Sequence, residues 1–188
     1  AKPQGEAPAA RTCFPNHNKG EYNTMNTNAI AFIGLCNEYC TALETAAETE
    51  RGAFVDKMLR LLPRLYIAAT DLKTEEPEFG EAYLESSLDE DYYDSIRRSI
   101  ETVMGEDDTY LEVFEEDMKY SDTPVAASVS EGLADIFQAM YNFIESVKDS
   151  TDATVELALA AMRDDFRSFW SAPLCNVLRA LNHIKMNQ

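Results

Sequence analysis

Apolar residues recur at spacings of three and four along most of the chain, which is the pattern of helices with one buried face. These stripes predict helices over about residues 27–50, 53–70, 88–104, 107–119, 124–148, 152–169 and 174–186. No segment alternates apolar and polar residues for long enough to predict a strand. The connections are short, so neighbouring helices are expected to run antiparallel. The pattern therefore predicts an all-α, single-domain antiparallel bundle of six to seven helices.

Local signals set the expected helix ends. Ser87 and Glu90 have the spacing of a capping box for the third helix, and Gly105 stops it. Pro124 suits the first position of the fifth helix, capped by Asp122 or Thr123. Pro63 lies within the second apolar stripe and predicts a kink or break near Leu62, because proline removes a backbone donor and clashes one turn back.

Residues 1–24 are rich in Pro, Gly and Asn and have no apolar period, so they are interpreted as an irregular arm. The arm is either an extension or a native disordered tail. It lacks the apolar middle of a secretory signal peptide. The bundle domain is predicted to occupy residues 25–188, a length that buries a sizeable core without help from metals or disulfides.

Negative charge is concentrated in the middle of the chain. The net charge is −18, and residues 75–122 contribute −15 of it, with 18 acidic residues against three basic ones. Such a surface repels phosphate backbones and anionic lipid, so neither nucleic acid nor a membrane is an expected partner. No apolar stretch is long enough to span a bilayer. The remaining possibilities are cation binding, a basic protein partner or plain solubility.

The four cysteines do not form a ligand motif. Cys36 and Cys40 are one helical turn apart in an apolar stripe, which predicts buried thiols in a reducing, cytoplasmic compartment. The histidines, His17 and His183, lie at opposite ends of the chain, so a structural zinc is not expected. Trp170, the single tryptophan, is interpreted as a core residue rather than a ligand platform.

Several segments of the chain are similar in sequence to a known protein family. They are Tyr110 to Gln138 (with Met118-Lys-Tyr-Ser-Asp-Thr-Pro-Val-Ala126 the most specific part), Phe166 to His183, Asn37 to Glu44 and Leu62 to Tyr66. Over about residues 28–185 the chain resembles the domain-of-unknown-function family 5063, helical proteins of this size found mostly in gut bacteria. The resemblance implies a bacterial helical protein and supplies no catalytic residue. The sequence of the chain differs from that of the family at Ser171 to Asn176. Within this stretch, Pro173 predicts an interruption between the two terminal helices.

Carboxylate pairs suggest one possible chemistry. Glu112 and Glu115 are three residues apart on one predicted helix, and Glu131 and Asp135 are four apart on the next. Facing carboxylate pairs hold Mg²⁺ or Mn²⁺ in helical bundles, and Lys119 or Arg163 would then meet a phosphate. However, the second spacing is one residue longer than the Glu-x-x-Asp of all-α nucleotide pyrophosphohydrolases. A chain with 34 acidic residues also forms such pairs by chance, so a solvated face is favoured.

The turn around Lys119, Tyr120 and Asp122 is the most distinctive local chemistry. It is either a recognition loop presenting these three side chains or a tight connection in which Asp122 and Thr123 cap the next helix, and the second interpretation is favoured. With no nucleophile motif and no phosphate loop, the leading hypothesis is a cytoplasmic, non-enzymatic adaptor without cofactors that binds a basic protein. The alternatives are a Mg²⁺- or Mn²⁺-dependent hydrolase of a phosphorylated small molecule and a sensor of small ligands.

Overall fold

The computed structural model describes residues 27–74, 83–112 and 125–187. Most of these residues are helical, and two short strands form an antiparallel ribbon. The elements are α1 (Thr27–Glu44), α2 (Arg51–Thr70), α3 (Glu90–Met104), β1 (Thr109–Leu111), β2 (Ala126–Ser128), α4 (Val129–Val147), α5 (Asp152–Asp165) and α6 (Ser171–Met186). Short 3₁₀ turns, Ala46–Glu48 and Gly105–Asp107, follow α1 and α3. The all-α prediction is confirmed for the described residues, with the ribbon as the exception.

Helix α4 is the centre of the bundle. It packs against α1, α3, α5 and α6, while α2 packs against α1 and α6. Its apolar stripe is buried, and the ring centroids of Phe143 and Phe32 of α1 lie 5.5 Å apart. The buried Tyr39 hydroxyl of α1 donates to the Leu133 carbonyl over 2.8 Å. A hydrogen bond that satisfies the polar end of a large buried ring fixes how α1 sits on α4.

Gly132 marks a close approach between α4 and α6. A Cβ added at Gly132 would lie 2.6 Å from Cγ2 of Val177. Carbon atoms in ordinary contact are about 3.5–4.0 Å apart, so only glycine fits here without movement of the helices. The small residue therefore sets the distance between α4 and α6, the helix that forms one wall of the candidate site.

Helices α5 and α6 are joined without a break in the helical backbone. A π-turn, Phe166–Trp170, joins the end of α5 to the start of α6, and Pro173 lies in the first turn of α6. The predicted interruption at Pro173 is therefore wrong. Within the described ranges the six α-helical segments form five rods, fewer than the six to seven predicted. Trp170 is fully buried beside Phe166, with ring centroids 4.5 Å apart, as its interpretation as a core residue required.

Several predicted helix ends are corrected. Asp89 caps α3 by accepting from the amides of Asp91 and Tyr92, whereas the Ser87 amide donates to the side chain of Asn142. Gly105, with φ at +58°, ends α3 as predicted. The α2 helix continues through Pro63 without a break. A helix that is packed along its whole buried face tolerates the loss of one backbone donor.

Cys36 and Cys40 are buried free thiols, as predicted, and Cys175 is exposed. The predicted arm and the boundary at residue 25 lie outside the described residues. None of the described helices combines the length and the apolarity that crossing a bilayer requires.

Candidate functional site

The ribbon occupies the place of the predicted fourth helix. Thr109 pairs with Ser128, Tyr110 with Ala127 and Leu111 with Ala126. A helix beginning at Asp107 or Asp108 is therefore wrong for the residues that can be described, and residues 113–124 lie outside them. The fifth predicted helix, α4, begins at Val129 rather than at Pro124, and Ser128 caps it by accepting from the Glu131 amide.

Asp108 fastens the ribbon to the start of α4. Its buried carboxylate accepts from the Ser130 amide over 2.8 Å and from the Ser130 hydroxyl over 2.8 Å, while its carbonyl accepts from the Val129 amide. A carboxylate at a helix N-terminus is stabilised by unpaired amides and by the helix dipole. The acidic residue that suggested a local helix start is thus the anchor for a helix more than twenty positions further along the chain.

Two side chains of α6 hold the other side of β1. The Asn176 amide donates to the buried carboxylate of Glu112 over 3.0 Å, and the Arg179 guanidinium donates to the carbonyl of Leu111 over 3.0 Å.

Burial, followed by the charge of Glu112 and a hydrogen bond to it, raises the pKa of Tyr110 to about 12. The Tyr110 phenol therefore stays neutral at physiological pH and remains a fixed part of the wall.

Between β1 and α6 lies a groove of about 570 Å³. Its lining residues are Thr109, Tyr110 and Leu111 of β1, Arg179, Ala180, His183 and Ile184 of α6, and Asp107. Asp107 is paired with Arg51 of α2, so its charge is balanced locally. Ala180 and Ile184 supply apolar wall, and Arg179 is the exposed cation. Because this volume is in the range of small-ligand and peptide sites, the groove is the candidate functional site.

Large apolar side chains are exposed beside the groove. Leu111 is 57% exposed, and Val125, whose carbonyl accepts from the Glu112 amide, is 38% exposed. They lie on the ribbon where β1 ends and β2 begins. Exposed apolar groups clustered at one place with a polar rim are typical of surfaces that bind other molecules.

A family model matches residues 23–187 of this chain, and its description is a domain of unknown function, DUF5063. The chain belongs to this family. The match covers the ribbon, the groove and every described helix. The resemblance to this family that was inferred from the sequence segments is therefore confirmed.

The DUF5063 chain is also similar to a solved structure, the crystal structure of protein BF1032 from Bacteroides fragilis. The two have a TM-score of 0.72 and 29% sequence identity, and the match covers 85% of this chain and 93% of that one. No curated protein matches the chain. These findings establish the family and the helical fold of this DUF5063 protein.

The carboxylates suggested as metal ligands have separate roles where this DUF5063 chain can be described. Glu112 binds Asn176, Asp135 accepts from the Tyr93 hydroxyl over 2.7 Å, and Glu131 is exposed. Glu115 lies outside the described residues. Among the described residues no group of three or more His, Cys, Asp or Glu is placed to hold a metal ion. The Mg²⁺ or Mn²⁺ site stays a prediction, which calorimetric titration with Mn²⁺ and with a Glu115→Ala, Asp135→Ala variant checks.

The proposed recognition residues Lys119, Tyr120 and Asp122 lie outside the described residues, so neither interpretation of that turn is tested. Sequence reasoning missed the groove itself. Of its lining residues, the sequence analysis named Tyr110 and His183, each for another reason. A weak signal was available: Thr, Tyr and Leu in succession favour a strand, but three residues are too few to establish a period.

Charged side chains pair near the end of α5. The guanidinium of Arg163, which is buried, donates to Asp164 over 3.0 Å and to the carbonyl of Thr74 over 3.2 Å. Arg167 approaches the same carboxylate oxygen of Asp164 at 3.7 Å. The two arginines thus share the carboxylate of Asp164, and Arg163 ties α5 to the segment that follows α2.

Proposed function

We propose that this protein is a protein-binding module of a bacterial cytoplasm, an adaptor that receives part of a partner in the groove between β1 and α6. The observation that carries the proposal is the groove, with apolar wall from α6 and the exposed Leu111 on its rim. Burying an exposed leucine against a partner is favourable by about 1.5–3 kcal/mol, which is enough to make such a residue important for affinity.

Charge supports a partner with a basic surface. The chain carries a net charge of −18. A one-signed field of this kind attracts an oppositely charged partner over a distance and raises the association rate, and salt screens the attraction. Inside the groove, however, the exposed cation is Arg179, so the inserted part of the partner is apolar and its basic residues lie around it.

The free thiols support the cytoplasmic part of the proposal. Cys36, Cys40 and Cys175 are all unpaired in the structure. Unpaired cysteines in this number suit a reducing compartment better than an oxidising one. Burial raises the pKa of Cys40 to about 12 and that of Cys36 well above its ordinary value, so these two thiols serve packing rather than chemistry.

The test is capture of partners from a lysate of the source organism by the immobilised full chain at low and high salt, followed by calorimetry with the purified partner. Leu111→Ser is expected to weaken binding at least about tenfold because it removes rim apolar surface. Leu157→Ser is the matched control, since Leu157 is a similarly exposed leucine, 52% against 57%, outside the groove. Capture of no partner at either salt concentration, or equal loss in both variants, would contradict the proposal.

A further inference from the structure

The two-stranded ribbon has one side of β1 turned away from β2. The Val129 amide donates to the Asp108 carbonyl, and the Glu112 amide donates to the Val125 carbonyl, each over 2.8 Å. Hydrogen-bonded pairs alternate along an antiparallel ladder, so the pair between these two is Tyr110 with Ala127. Thr109 and Leu111 therefore point their amides and carbonyls outward, into the groove.

Most of this outer edge is unused. The Leu111 carbonyl accepts from Arg179. The Leu111 amide and both main-chain groups of Thr109 make no hydrogen bond to any residue in the described ranges. An exposed edge of this kind is a template for another strand, and proteins usually cover or charge such an edge unless it is used.

The groove gives an added strand room and a wall. Three residues of β1 present an edge about 10 Å long, since a strand rises about 3.4 Å per residue. Across the groove stand Ala180 and Ile184 of α6. Every second side chain of an added strand would contact Ala180 and Ile184. The remaining side chains of that strand would lie on the solvent side, next to the exposed side chains of Thr109 and Leu111.

We infer that β1 binds an extended segment of the partner by strand addition, so that the ribbon becomes a three-stranded sheet lying against α6. The inference rests on the proposed function and names its mode of binding. Main-chain pairing with Thr109 and Leu111 supplies affinity, and an uncharged, apolar residue facing Ala180 and Ile184 supplies selectivity.

The occupant is a segment of a different, basic protein rather than a second copy of this chain. Two copies would each carry a net charge of −18, and like charges oppose their association. Arg179 lines the groove and disfavours basic side chains there, so the basic residues of the segment flank its apolar centre.

The test uses random linear peptides displayed against the full chain, with affinities of the selected peptides measured by fluorescence anisotropy. Leu111→Pro removes the amide that points into the groove and leaves the hydrogen bonds between β1 and β2 in place. The residue before a proline must be extended, and Tyr110 is extended because it lies in β1. Ala126→Pro is the matched control, because Ala126 is the register partner of Leu111 and its amide faces the opposite edge. Leu111→Ala isolates the loss of the side chain.

The expected result is that Leu111→Pro binds the selected peptides at least roughly tenfold more weakly than Leu111→Ala does, while Ala126→Pro binds as the wild type does. In the wild type, hydrogen exchange of the Thr109 and Leu111 amides is expected to slow when peptide binds. This second measurement does not depend on whether the proline variants fold, which circular dichroism checks.

Other outcomes overturn the inference and separate it from the proposed function. If peptides bind and Leu111→Pro loses no more affinity than Leu111→Ala, strand addition is wrong while protein binding stands. If a partner is captured but no peptide is selected, the partner presents a folded surface, and the inference fails alone. If neither is found, both proposals fail. Self-association of the wild type that Leu111→Pro abolishes would assign the edge to a second copy and overturn the assignment to a basic partner.

Discussion

Replacing Gly132 with alanine tests the contact that sets the spacing of α4 and α6. The added Cβ would lie 2.6 Å from Cγ2 of Val177, about 1 Å closer than an ordinary carbon contact allows. Val177 is fully buried in a helix, where valine strongly prefers one rotamer, so its side chain cannot turn away without cost. The strain must therefore be taken up by an unfavourable rotamer of Val177 or by movement of the helices.

The magnitude follows from two opposing effects. Alanine in place of glycine within a helix is favourable by about 1 kcal/mol, and overpacking a core costs about 1–3 kcal/mol. We expect Gly132→Ala to lower the free energy of unfolding by the difference, about 0–2 kcal/mol, which is a decrease in Tm of up to roughly 8 °C for a chain of this size. Gly34 of α1 has no atom within 4 Å of an added Cβ. Gly34→Ala therefore gives the propensity gain alone and is expected to raise Tm.

The assay is urea unfolding followed by the fluorescence of Trp170 and by circular dichroism, whose coincidence checks two-state behaviour. Val177→Ala costs about 2 kcal/mol alone because it removes buried methyl groups. In the double variant the alanine at position 132 fills part of that space, so the summed cost should exceed the measured cost by about 1–3 kcal/mol. Strict additivity, or a Gly132→Ala variant as stable as Gly34→Ala, would refute the close approach of the two helices.

Two further predictions concern buried ionisable groups. Asp108→Ala is expected to lower the free energy of unfolding by about 2–3 kcal/mol, measured in urea, because two donors of Ser130 lose their charged acceptor; a cost no larger than that of Ser130→Ala would contradict the anchoring role. Stability is expected to fall as pH rises above about 9, the ordinary thiol pKa, towards 12, because the folded state keeps the protons of Cys36 and Cys40 that the unfolded chain releases. The slope is at most about 1.4 kcal/mol per pH unit for each thiol. Urea midpoints between pH 8 and 10 measure it, and an unchanged slope in a Cys36→Ala, Cys40→Ala variant would show that other groups dominate.

Long apolar stripes made the helices predictable, because burial of one face determines both the period and the partner side. The ribbon was not predictable for a physical reason. Asp107 and Asp108 have the composition of a helix start, yet Asp107 pairs with Arg51 and Asp108 with Ser130, in other elements. A local pattern cannot reveal which distant donor an acidic side chain will find.

The same limit applies to the candidate site. The groove exists because β1 meets α6, joined by a hydrogen bond between residues 68 positions apart, Arg179 and Leu111. The group that Arg179 binds there is a main-chain carbonyl, which no pattern of charges along the sequence indicates. The Lys119, Tyr120 and Asp122 proposal depends on residues beyond the described ranges and remains a prediction.

The π-turn between α5 and α6 has a consequence for how this chain can change in evolution. A π-turn holds one more residue than the corresponding α-turn, and at Phe166–Trp170 the helix accommodates that residue without breaking. Removing a single residue there would restore regular winding, but it would rotate everything downstream by about 100°. Leu174, Val177 and Leu181 would then swing out of the interior, and Asn176 and Arg179 would leave the ribbon. Length variation among relatives should therefore be rare within this turn.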